Sequence, residues 1–81
     1  MAEYEAKEIP LLTELTGRVL SIDCAAGQVL PTDALIIIVE SMKMEIPITA
    51  PYDCVVHRVL VRLGDFIEDG QPVAIILEHG D

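Results

Sequence analysis

The chain has no tryptophan, one phenylalanine and two tyrosines, and its five lysines and arginines face fourteen aspartates and glutamates. That shortage of cations excludes a nucleic-acid groove or an anionic membrane surface, because both need several Lys or Arg to meet phosphates. Arg18, Arg58 and Arg62 are too few for such a groove. Two cysteines, Cys24 and Cys54, make no disulfide framework and lack C-x-x-C spacing, so local motifs assemble no four-ligand zinc site. Both are expected to be plain thiols at partly buried strand positions. His57 and His79 stand far apart with no ligand cluster, and no metal is expected. Long apolar runs are also missing. The longest, Ala34 to Val39, has six residues, against roughly 18 for a membrane-spanning helix. The first eight residues lack the basic start and apolar stretch of a signal peptide. A cytoplasmic protein without a membrane partner is the expectation.

What is present is a short aliphatic chain. Its 81 residues allow one domain, and 52% hydrophobic residues are too many for a disordered segment. A domain of this size buries only about 60–65% of the surface its unfolded chain exposes. The net charge of −9 favours solubility and offers a surface to a basic partner. Valine and isoleucine cluster in runs of strand length: Ile9–Leu12, Arg18–Ile22, Leu35–Glu40, Glu45–Thr49, Val55–Val61 and Val73–Leu77. Gln28–Leu30 and Asp65–Ile67 are shorter candidates. Gly or Pro breaks every longer stretch with a helical period, so the chain is expected to be all-β.

The runs repeat. An ungapped offset of 37 residues lays Glu8-Ile9-Pro10 on Glu45-Ile46-Pro47, Val19 on Val56, Gly27 on Gly64 and Ile38 on Ile75. Leu30 falls on Ile67, Ile22 on Val59 and Ile36 on Val73. Two copies of a four-strand unit, neither able to bury its apolar face alone, predict a flattened barrel or sandwich with a pseudo-twofold. Gly27 and Gly64 are expected at equivalent positive-φ turns, and Ile38 and Ile75 at equivalent buried positions. Residues 1–8 read as a polar N-terminal lead and 9–78 as the domain.

One segment is not duplicated. Glu40-Ser41-Met42-Lys43-Met44-Glu45 joins the copies as a tight connection, with one of only two lysines at its centre; the other, Lys7, lies in the lead. Lysine on such a tip projects a primary amine on a flexible stem, which by itself also fits a solubilising surface residue. The flanking Met42 and Met44 have no solubility rationale there and supply a soft, adaptable apolar surface. Glu40 and Glu45 lack the nucleophile, pocket or metal that a catalytic carboxylate pair would need, and no catalytic residues are expected.

Glu40-Ser41-Met42-Lys43-Met44 resembles the attachment motif of the biotinyl (biotin carboxyl carrier) domains of the biotin/lipoyl attachment family. The resemblance runs from about Ile9 to Leu77 and includes Gly27 sixteen residues before Lys43, Ala50-Pro51, and Gly64-Asp65-Phe66-Ile67-Glu68-Asp69-Gly70-Gln71-Pro72. It implies a flattened barrel of two four-stranded antiparallel sheets, the barrel-sandwich hybrid. It also implies biotin in amide linkage to Lys43, with Met42 and Met44 as flanking recognition residues; Glu40 reads as an exposed charge or, alternatively, as part of what the ligase recognises. The implied partners are a biotin protein ligase, a biotin carboxylase and a carboxyltransferase, between which a non-catalytic swinging arm carries carboxyl groups. Four departures stand out: Ser41 for the commoner alanine, Cys54 for a turn glycine, Asp33 where the second copy has Gly70, and Leu12-Thr13-Glu14-Leu15-Thr16-Gly17 in place of the Pro-Met-Pro-Gly common in many members. The serine is expected to be harmless, Asp33 to keep its turn, and Cys54 to need a local adjustment. The ungapped repeat leaves no room for the thumb loop of some bacterial carriers. A lipoyl carrier, or a protein accepting both cofactors, is the nearest alternative, although its motif usually reads Asp-Lys-Ala. A β-sandwich interaction domain with a bare lysine is the next.

Overall fold

A computed structural model describes residues 4–79. Eight strands follow one another: β1 (Tyr4–Leu12), β2 (Gly17–Ile22), β3 (Val29–Leu30), β4 (Leu35–Ser41), β5 (Met44–Thr49), β6 (Cys54–Val59), β7 (Phe66–Ile67) and β8 (Pro72–His79). They form two antiparallel four-stranded sheets, ordered β1-β8-β6-β3 and β5-β4-β2-β7. Among the described residues there is no helix. Short β-branched runs bounded by Gly, Pro and Asp favour this layout over any helical one.

The 37-residue repeat is legible in the register. Exchanging β1–β4 with β5–β8 turns the order of one sheet into that of the other. Backbone hydrogen bonds that tie loops to strands follow the same rule. Thr13 N–H donates to Gln71 O and its counterpart Ala50 N–H to Ala34 O; Val19 N–H donates to Asp65 O and Val56 N–H to Gln28 O. Turns obey it too. Gly27 and Gly64 have φ of 88° and 85°, and Asp33, at 72°, matches Gly70 at 91°. Asp33 thus keeps the left-handed turn, as expected of a residue that tolerates this region. Cys54 needs no such backbone; it opens β6 fully buried, and its counterpart Gly17 opens β2.

The core lies between the sheets and is symmetric in the same sense. Val19 and Val56, Leu30 and Ile67, Ile36 and Val73, Ile37 and Ala74, and Val39 and Ile76 are all buried pairs. Ile38 and Ile75 are not among them, which corrects the expectation from sequence. They occupy equivalent positions, Ile38 between Ser21 and Pro47 and Ile75 between Arg58 and Pro10, but both are only half-buried. The cause is irregular pairing beside β4 and β8. Register shifts between Val19 and Ser21, Leu35 and Ile37, and Val56 and Arg58 break the strict alternation of faces. Ile36 and Ile37 both turn inward as a result, and Ile38 is displaced from the core.

Strand β1 is longer than the run Ile9–Leu12. It takes in Tyr4 and Glu8, whose backbones pair with His79 and Leu77 of β8. Pro10 and Pro47 sit at equivalent places on the outermost strands β1 and β5, where a missing N–H breaks no interior ladder and blunts the edge.

Candidate functional site

Strands β4 and β5 pair from Leu35↔Thr49 to Ser41↔Met44, leaving Met42 and Lys43 as a two-residue loop. Both have positive φ, 52° and 66°, the signature of a type I′ turn, whose twist matches that of the strands it joins. Such turns normally use Asn-Gly or Asp-Gly. This chain has no asparagine and places two long side chains there instead. Left-handed backbone costs an L-residue roughly 1–2 kcal/mol, so the tip is held by the ladder beneath it against local preference. Strain of this kind gathers where function requires a particular residue.

The turn drives its side chains into solvent. Met42 is 92% exposed, Met44 is 60% exposed, and Lys43 between them is exposed as well. One hydrogen bond anchors the base of the tip: Ser41 Oγ–H donates to the Thr16 carbonyl at 2.8 Å. Thr16 Oγ1 in turn accepts from Asp69 N–H at 3.1 Å, so the hairpin, the β1–β2 loop and the β7–β8 turn are tied together. Ser41 is close to alanine in size and on that ground is expected to be harmless, but its hydroxyl has a partner that only the folded chain supplies. Below it, a Cβ on Gly17 would collide with the Glu40 carbonyl oxygen, so β2 approaches the hairpin as closely as a glycine permits.

Glu40 and Glu45 are directly opposed on the outer face of the sheet, a like-charge pair that weakens local pairing. Arg18 stands across from Glu40 and Phe66 across from Arg18, completing a lateral row. Arg18 Nη1 donates to the Gly64 carbonyl at 2.9 Å. A groove of ≈ 350 Å³ runs between this row and the tip, with Thr16, Arg18, Glu40, Met42, Lys43 and Phe66 on its walls. A larger groove of ≈ 430 Å³ follows the seam between β1 and β5, with Leu11, Leu15, Ile46 and Ile48 along it, away from the lysine.

The remaining sequence candidates do not converge on the tip. His57 is exposed on β6 and pairs with Glu8 of β1 at 3.3 Å, a contact across β8 that depends on sheet order. The side chain of His79 and residues 1–3 lie outside the described residues. Cys24 is half-buried in the loop after β2 rather than on a strand, while Cys54 is fully buried. Burial, aided by Asp23 at Cys24 and Asp53 at Cys54, raises both thiols above their ordinary range. Neither is poised for nucleophilic work. Among the described residues no three His, Cys, Asp or Glu side chains gather to hold a metal.

The start of β8 touches the same end as the tip, through Thr13 N–H donating to Gln71 O, so β8 runs away from it. Tyr4 and His79, paired with each other, therefore lie at the far end. Lys43 is thus exposed at the tip of a duplicated scaffold, at the end opposite the Tyr4–His79 pair. That suits a long attached group, because Lys43 makes no ion pair or hydrogen bond among the described residues that modification would break.

Comparison with known proteins agrees with this geometry. A family model described as Biotin-requiring enzyme, covering biotin and lipoyl domains, matches residues 9–76. The Biotinylated protein TB7.3 homolog of Mycobacterium leprae is 35% identical over 63 residues, 78% of this chain and 89% of that protein. The urea carboxylase of Kluyveromyces lactis superposes with a TM-score of 0.81 at 34% identity, over 91% of this chain but only 6% of that one. The lipoyl domain of the 2-oxoglutarate dehydrogenase complex from Azotobacter vinelandii shares the fold, with a TM-score of 0.71 over 93% of this chain and 100% of that domain.

Proposed function

The chain belongs to the biotin/lipoyl attachment family, and on that premise we propose that it is a biotin carboxyl carrier modified at Lys43. The observation that carries the reading is the type I′ tip, which holds Lys43 exposed between two exposed methionines at the cost of left-handed backbone. In this reading a biotin protein ligase joins the biotin carboxyl to Lys43 Nζ as an amide, reading Met42, Met44 and Glu40. Bound biotin would supply a ureido nitrogen able to accept and release a carboxyl group, exchanged between a biotin carboxylase and a carboxyltransferase.

The protein's own part is mechanical. A duplicated β-scaffold keeps the tip rigid while the lysine stem swings, so the attached ring is confined near both partner sites at high effective concentration. No acid, base or metal is required of this chain. The surroundings of the reading are cytoplasmic, where a ligase and both partner enzymes would meet it.

A lipoyl carrier is the second reading, favoured by the shared fold of the lipoyl domain above. Met42 and Met44 weigh against it. Intact mass and peptide mapping after co-expression with a biotin ligase, and separately with a lipoyl ligase, discriminate the two. Biotin on Lys43 alone supports the proposal; a lipoyl adduct only, or biotin on Lys7, overturns it.

A further inference from the structure

We propose that the groove beside Lys43 is a resting seat for the ring of the group attached to that lysine, with Phe66 as its apolar wall. The proposal rests on the biotin reading. Phe66 is the only phenylalanine in the chain and is 56% exposed on β7, a two-residue strand at the edge of its sheet. Exposure of a large aromatic on so short an edge gives nothing to the core. Its position does give something to the groove, which it shares with Met42 and Lys43.

The polar wall fits the same occupant. Across the sheet the order is Glu45, Glu40, Arg18, Phe66, which places an acceptor and a donor side by side next to the aromatic ring. The Arg18 guanidinium is pinned by Gly64 O through Nη1, so its other N–H donors are held in place rather than free to wander. A cyclic urea presents one carbonyl acceptor and two N–H donors. Arg18 can donate to the first and the Glu40 carboxylate can accept from the second. The symmetry-related row on the other sheet reads Glu8, Leu77, Val55, Val29, with neither the donor nor the aromatic. The combination therefore occurs only on the sheet that carries the lysine.

Tethering makes a weak seat sufficient. Lys43 lines the groove itself, and a short flexible link gives an effective concentration in the millimolar range. A seat of only millimolar affinity is then occupied about half the time. Between visits to its partners the ring would be partly withdrawn from solvent and other proteins.

The test compares the unmodified and the biotinylated full chain by NMR. Nuclear Overhauser contacts from the biotin ring protons to the Phe66 ring are expected, with amide shifts at Thr16–Arg18 and Phe66 beyond those at the turn. Phe66→Ala should remove those distant shifts. It should also speed capture of the biotinylated chain by avidin about twofold, the gain from emptying a half-occupied seat. Biotin on Lys43 with shifts confined to residues 41–44 and no contact to Phe66 would overturn the seat and leave the carrier function standing. Absence of biotin from Lys43 would overturn the carrier reading itself, which mass spectrometry registers before any spectrum is taken.

Discussion

Replacing Ile36 with alanine should destabilise the fold far more than the same change two residues on at Ile38. In a regular strand the two side chains share a face and would be equivalent. Here Ile36 is fully buried between the sheets, and Ile38 is half-buried between Ser21 and Pro47. Truncating a buried isoleucine costs about 2–5 kcal/mol, part transfer free energy and part cavity. A domain of this length has a total stability of roughly 4–12 kcal/mol. Ile36→Ala should therefore lower the thermal midpoint by about 4–8 °C for each kcal/mol lost, at least about 8 °C in all. Ile38→Ala leaves its gap at the surface, where neighbours and water can fill it, and should cost about 1 kcal/mol. The second copy should repeat the order on a smaller scale: about 2 kcal/mol for Val73→Ala and about 1 kcal/mol for Ile75→Ala. Guanidinium denaturation with a constant m-value measures all four. Equal losses at Ile36 and Ile38 would show that β4 alternates regularly, and the irregular register described above would be wrong.

Lys43→Arg should abolish modification while leaving the denaturation midpoint within about 0.5 kcal/mol of wild type, because the tip buries little; an adduct surviving on this variant, found by intact mass, would displace the site. Ser41→Ala should cost about 0.5–1.5 kcal/mol for the lost bond to the Thr16 carbonyl, and hydrogen exchange at Met44 should quicken with it. Unchanged exchange would mean that the hydroxyl anchors nothing. Gly70→Asp should be tolerated, since Asp33 already supports the equivalent turn, whereas Gly70→Val should cost at least about 1 kcal/mol more in a denaturant melt. Cys54, fully buried with its thiol pushed up, should resist iodoacetamide at pH 8 in the folded chain and react once urea unfolds it; mass spectrometry counts the label.

Much of the molecule was legible in one dimension because its determinants are local or periodic. β-branched runs of strand length marked six of the strands, Gln28–Leu30 and Asp65–Ile67 pointed to the two short ones, and the 37-residue offset revealed the pseudo-twofold, since duplicated sequence must make duplicated contacts. Gly27, Gly64 and Asp33 announced their turns through the conformations their side chains allow. The motif around Lys43 was legible because it is a contiguous run that interrupts the repeat; the left-handed turn at Met42 and Lys43 was not, since neither residue favours that backbone and the ladder beneath imposes it. Other features belong to neighbours that sequence does not order. Which isoleucine of a continuous run faces inward depends on register shifts in the flanking strands, so Ile38 read as core and lies half outside it. The partner of Ser41 comes from a loop 25 residues away. His57 meets Glu8, and Phe66 comes to stand beside Arg18 and Glu40, only because the sheets order their strands as they do. Periodicity and local preference are properties of a segment. Lateral adjacency across a sheet is settled by which strands pair, and only the folded chain makes that choice.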